Sequence, residues 1–195
     1  DALHADHRKV VGYAGGMTNA NAMDDFVAAM GHLGHEPVTA VLIGDGLFRD
    51  ELEAEASRVG ANVVFYGSLP KAQVHDALSR CDVLYIGSKS SALYEFGVSA
   101  NKIFDYMLTG VPIVNAFASE HSPMVYAGCT VRAEAEDPVD IARAIREATA
   151  LGAAERSRIA EVSIEWVRSH HALPVLARQF LDLVSGLSRE GRGRV

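Results

Sequence analysis

Lys102 and Asp105 stand three residues apart, directly after Ser99 and Asn101. Around them Ile103, Phe104, Met107 and Leu108 fall at helical spacing and give one apolar face. Ser99 is of the residue type that caps a helix start, its hydroxyl accepting from a backbone N–H of the first turn. Gly110 suits a left-handed C-cap, and Pro112 forbids further helix. A helix N-terminus carries unpaired N–H groups and a partial positive charge, so it attracts phosphate. Lys102 adds a full charge at the same spot. Asp105, one turn deeper, would repel phosphate but can accept hydrogen bonds from a diol such as ribose. A cationic helix start with one recessed carboxylate suits a nucleoside diphosphate. The same residues also describe an ordinary amphipathic helix with a Lys–Asp surface pair, and spacing alone leaves both readings open.

Short apolar runs alternate with helical patterns along the chain. Lys9–Ala14, Val38–Ile43, Asn62–Tyr66, Asp82–Ile86, Val111–Val114 and Cys129–Arg132 read as strands. Their continuous apolar character predicts a Rossmann-like, three-layer α/β domain, its mostly parallel sheet of about six strands covered by helices on both faces. Further helices close the C-terminus. Ligands of such sheets lie beyond the carboxyl ends of the strands. Gly15-Gly16, Gly44-Asp45-Gly46, Gly67-Ser68-Leu69 and the loop from Ser88 to Lys102 all leave those ends, so four polar turns converge on one edge. The Gly44–Gly46 turn lacks the third glycine of a dinucleotide fingerprint; Arg49 stands there. Ser119, Glu120 and His121 sit in one loop, but no Gly-x-Ser-x-Gly elbow accompanies them.

The net charge of −7 argues against non-specific nucleic-acid binding, which needs a basic face. One diphosphate needs only local positive potential. Cys81 and Cys129 lie beside apolar runs and read as buried free thiols. No apolar run reaches the roughly 18 residues of a membrane span, and Asp1–His7 is polar; the chain is expected to be cytoplasmic. Residues 1–8 read as a linker or leader, 9–187 as one domain, and 188–195 as a disordered tail. Residues 153–187 read as helical, with Trp166 and Phe180 packed on the domain.

Tyr94, Gly97, Ser99, Asn101-Lys102, Asp105-Tyr106-Met107 and Gly110-Val111-Pro112 together resemble the donor-site signature of family 4 (group 1) glycosyltransferases. These are retaining enzymes of the GT-B fold, and the run is most similar to the subgroup that builds bacterial surface polysaccharides. The weaker likeness extends from about Val10 to about Ile145. The resemblance implies the C-terminal, donor-binding domain of a hexosyl- or N-acetylhexosaminyltransferase, incomplete in itself because GT-B enzymes have two such halves. It implies a nucleotide-sugar donor, a UDP-sugar, with no tightly bound cofactor and no metal. The acceptor would be a glycan or lipid-linked saccharide held by the other half, with peripheral membrane contact in the full enzyme.

By the same resemblance Lys102 offsets the charge of the leaving diphosphate, and Asp105 holds the ribose hydroxyls. Ser99 and Asn101 bond phosphate or sugar. Gly15, Gly16, Gly44, Gly46, Gly67 and Leu69 lay backbone along the donor. The first glutamate of the family's usual pair falls on Gly97, and nearby Glu95 is the candidate to take over its contact with the sugar. Family members often carry a basic pair in the first loop. Here Met17 and Asn21 occupy those places, with no Lys or Arg between Lys9 and Arg49. That departure shifts the phosphate charge onto Lys102 and Lys89. It also keeps open a non-catalytic nucleotide-binding or regulatory subunit, beside a GT-B-fold sugar-nucleotide epimerase.

Overall fold

The computed structural model describes residues 8–191. Residues 1–7 and 192–195, which carry most of the expected leader and the end of the expected tail, lie outside the described residues. Six strands form one sheet: β1 (Lys9–Ala14), β2 (Val38–Ile43), β3 (Val63–Gly67), β4 (Val83–Gly87), β5 (Ile113–Ala116) and β6 (Thr130–Arg132). Their order is β3-β2-β1-β4-β5-β6, and every neighbouring pair is parallel. The helices are α1 (Met23–Leu33), α2 (Arg49–Val59), α3 (Lys71–Ser79), α4 (Asn101–Thr109), α5 (Pro123–Ala127), α6 (Pro138–Ala150), α7 (Ala153–His171) and α8 (Leu173–Gly191).

Alternation along each strand sends side chains to two faces. Val11, Tyr13, Val83 and Tyr85 pack with α1 and α6; Leu84, Ile86 and Ile113 pack with α4 and α7. Because both faces are covered, β2 and β4 are buried along their whole length. The fold is the expected Rossmann-like one. From β1 the chain steps to β2 and β3 on one side; from β4 it steps to β5 and β6 on the other. The adjacent carboxyl ends of β1 and β4 are therefore the topological switch point, where such sheets open a crevice.

Three stretches differ from the sequence reading. The loop expected over Asn115–Tyr126 contains α5, because Ser122 accepts from the Val125 N–H, Pro123 fills the first turn and Gly128 ends it at φ 61°. The C-terminal helical stretch is broken at Ala172 (φ −62°, ψ 140°). In a continuous helix Pro174 would offer no N–H to the His170 carbonyl, and its ring would collide with it. Trp166 packs against the cluster around α4 and α7 as expected, whereas Phe180, on α8, is 65% exposed. The last helix also runs through Ser188 to Gly191, so the first part of the expected tail is helical. Both cysteines are free thiols, Cys129 buried and Cys81 half-buried. No helix among the described residues is long and apolar enough to cross a membrane.

Candidate functional site

Two connections meet over the switch point: Gly15–Ala22 after β1, and Ser88–Ala100 after β4. The residue preceding α4 is Ala100, with extended backbone (φ −74°, ψ 140°), and no side chain caps the helix. Ser99 is thus not the N-cap; it lies one position too early and is exposed. The consequence favours a ligand: the Ile103 N–H turns back onto the Ala100 carbonyl at 2.9 Å, but no side chain takes the Asn101 and Lys102 amides ahead of it, and these face water or an anion.

Lys102 leaves the first turn of α4 and crosses the crevice. Its amine donates to Asn21 Oδ1 and stands 5.3 Å from the centroid of the Tyr13 ring, an attractive placement for a cation. Burial pushes this amine down to about 8, and no carboxylate among the described residues offsets that burial. One turn further on, the fully buried Tyr106 accepts at 2.7 Å from the Ala14 N–H and donates at 3.1 Å to the Ala14 carbonyl. A single helix face therefore grips both the end of β1 and the loop beyond it. Tyr13 and the Asn21 contact escape the sequence reading, and Tyr106 enters it only as part of the family signature, without a role. The usable signal is that Tyr106 stands four residues from Lys102, on the same helical face.

A cavity of about 260 Å³ opens at the carboxyl ends of β1 and β2, lined by Ala14, Gly15, Ile43, Gly44, Ser68, Leu69 and Val74. It brings together the expected Gly15, Gly44 and Leu69. Gly67 adjoins it, its carbonyl accepting from the Gly44 N–H at 2.9 Å. The glycines also let two loops pack closely. A Cβ on Gly44 would sit 2.0 Å from the Gly15 carbonyl oxygen, on backbone at φ +136°, and one on Gly46 would sit 2.3 Å from the Met17 carbonyl oxygen. These positions let the loops after β1 and β2 touch backbone to backbone. Gly16 contributes its carbonyl, which accepts from Tyr13 Oη and Asn21 Nδ2, each at 2.9 Å. Met17 is fully buried beneath the loop.

Lys89 is placed differently from Lys102. Its amine bridges Asp24 at 2.8 Å and Asp25 at 2.6 Å, with Glu136 at 4.0 Å. Burial depresses this amine, but hydrogen bonds from it to the two aspartates prevail and the net shift is upward. The expected phosphate contact is thereby occupied by protein carboxylates. Glu95 lies exposed on a short 3-10 helix, Ala92–Phe96. That turn is braced by Ser119 Oγ donating to the Tyr94 carbonyl at 2.8 Å and by the Tyr94 and Phe117 rings meeting edge to face. Asn101 and Asp105 are exposed on α4. Ser119, Glu120 and His121 form no relay: Glu120 is engaged by Arg132 through two bonds of 2.6 Å, and His121 Nδ1 lies 3.1 Å from Tyr126 Oη.

Residues 8–150 match the family described as Glycosyl transferases group 1. The chain belongs to that family. No curated protein matches it in sequence. Among solved structures, this glycosyltransferase domain is similar to HepE of Anabaena in complex with UDP, with 20% identity and a TM-score of 0.77 over 95% of this chain and 50% of that one. It is also similar to a UDP-forming α,α-trehalose-phosphate synthase from Burkholderia vietnamiensis, with 18% identity and a TM-score of 0.75 over 95% of this chain and 46% of the other. WaaG, a glycosyltransferase involved in lipopolysaccharide biosynthesis, matches with 15% identity and a TM-score of 0.66 over 84% and 44%. The glycosyltransferase domain thus spans about half the length of HepE. At these identities the likeness establishes a GT-B-type fold.

Proposed function

We propose that this chain is the donor-binding half of a retaining glycosyltransferase that takes its sugar from a UDP-sugar in cell-surface polysaccharide synthesis. The carrying observation is the Lys102 amine, half-buried at the switch point with no carboxylate partner among the described residues, beside the start of α4, which no side chain caps. A diphosphate laid there receives the leading Asn101 and Lys102 amides of α4 and the Lys102 charge together. As the glycosidic bond breaks, negative charge builds on the departing diphosphate, and both groups are already oriented to receive it. Asp105 takes the ribose hydroxyls, Asn101 and Ser99 contact phosphate or sugar, and Glu95 reaches the sugar. The base lies in the cavity bordered by Gly15, Gly44 and Leu69. Residues 9–187 act as one nucleotide-sugar-binding unit, and the acceptor, a glycan or lipid-linked saccharide, comes from a facing domain. The choice of UDP is supported by HepE, whose structure holds UDP, and by the UDP-forming synthase; the polysaccharide role is supported by WaaG.

Thermal unfolding with UDP, GDP and ADP tests the reading. A ligand bound only by the native state raises the melting temperature by mass action. A selective upward shift with UDP is expected; equal or absent shifts with all three would refute the UDP assignment.

A further inference from the structure

The Lys102 amine is held by an amide oxygen and an aromatic face. The holding amide is itself fixed. Asn21 Nδ2 donates to the Gly16 carbonyl and to Thr18 Oγ1, each at 2.9 Å. Both of its N–H groups are thus directed into its own loop, and only Oδ1 is left to face the amine. The opposite rotamer would set an NH₂ group against an ammonium, donor against donor. Asn21 therefore reaches Lys102 in one orientation, and it offers a dipole rather than a charge.

We propose that Asn21 is a positioning residue for the donor diphosphate: it aims the Lys102 amine across the crevice without neutralising it, so that the ligand's phosphates supply the counter-charge. This rests on the reading of the crevice as a diphosphate site. Lys89, on the neighbouring loop, shows what the alternative does, since carboxylates there have already consumed the charge. The charged and titratable groups on the elements around Lys102 do not take that part. Asp24 and Asp25 on α1 are bridged to Lys89. Asp105 on α4 is exposed. The Tyr13 phenol on β1 is pushed above its usual range by burial and donates to Gly16. On α7, the His171 ring lies against Phe104.

A pH dependence follows. Burial holds the free amine near 8, so above that pH it is increasingly neutral and attracts the diphosphate less. Binding must then draw a proton in, and affinity falls as pH rises. An aspartate at position 21 would reverse both features. It would hold the proton on Lys102 to higher pH, and it would cancel the charge the ligand needs.

The test is calorimetric titration of UDP into wild type, Asn21→Asp and Asn21→Ala across the pH range that brackets the amine's titration. NMR titration of the Lys102 ε-carbon is run on the ligand-free proteins. Wild type is expected to bind with steady affinity below about 8 and more weakly above. Asn21→Asp is expected to weaken binding on the order of tenfold at neutral pH, with both the binding break and the Lys102 titration displaced upward. Asn21→Ala is expected to weaken binding severalfold without that upward displacement. If both variants bind UDP like wild type with the break unmoved, the proposal is overturned. If wild type binds no UDP while Asn21→Asp still displaces the Lys102 titration, the aim of the amine stands and the diphosphate reading fails. An undisplaced titration in Asn21→Asp refutes the hold itself.

Discussion

Lys89 and Lys102 leave the same β4–α4 segment and both reach toward the first loop and helix after β1. Lys89 meets Asp24, Asp25 and Glu136. Lys102 meets an amide and a ring. One amine is shifted upward once its carboxylate bonds overcome burial; the other is shifted downward by burial with nothing to offset it. A paired cation joins two loops and has little field left for a ligand. An unpaired, half-buried cation weakens the fold and keeps its field. On the proposed reading, the difference divides the crevice into a fastening and a working charge.

The most severe way to break this comparison is to remove the working charge. Lys102→Ala in the complete enzyme is expected to lower kcat on the order of a hundredfold, about 2.7 kcal/mol of leaving-group stabilisation. Steady-state kinetics with a UDP-sugar measure it, and an unchanged kcat would place the amine outside the reaction. Stability should move the other way. Lys102→Met keeps the aliphatic bulk and removes a charge that burial penalises, so it is expected to stabilise the native state by about 1–3 kcal/mol at neutral pH. The sign of the pH effect follows from proton counts. The native amine titrates near 8, below the ordinary value of 10.5. Between those values the unfolded chain binds more protons than the native one, so wild-type stability rises with pH. The advantage of Lys102→Met is therefore largest below about 8 and shrinks above it. Denaturant midpoints at neutral and alkaline pH read this directly; an advantage that grows with pH would contradict the burial of the amine.

Much of this was legible in the residues. Continuous apolar runs at Val38–Ile43 and around Val83–Ile86 gave buried parallel strands, and glycines at their carboxyl ends marked the site edge. Asp137 capping α6 was legible too, because its carboxylate and Pro138 are local signals. The start of α4 was not, since Ser99 is the better capping type while the extended residue that precedes the helix is Ala100. Nor were the partners of the lysines. Asp25 lies 64 residues from Lys89 in the chain, and Asn21 lies 81 from Lys102. Such pairings are set by the β1–β4 junction and not by spacing. A second need for Gly44 was hidden for the same reason: its backbone clearance is required against Gly15, which belongs to another loop.

A gentler substitution sharpens the comparison from the other side. Lys89→Met removes the fastening charge and leaves Asp24 and Asp25 together at the start of α1. Asp25 is the less exposed of the two, at 13% against 55% for Asp24, and burial already raises its pKa although the Lys89 hydrogen bond pulls it down. Without Lys89 that upward shift should grow, and Asp25 should take a proton at higher pH. Because the partly exposed bridge to Asp24 is screened by water, the stability loss is expected to stay near 1 kcal/mol. The N-terminal dipole of α1 limits it further, since two carboxylates are tolerated there. UDP affinity is expected to change by less than about threefold, because the two aspartates left behind sit at the start of α1, where the helix dipole offsets part of their charge and salt screens the remainder. Calorimetry on Lys89→Met beside Lys102→Met decides the matter. Comparable losses of UDP affinity in the two variants would mean that the carboxylates around Lys89 do not consume its field, and the division between fastening and working charge would be wrong.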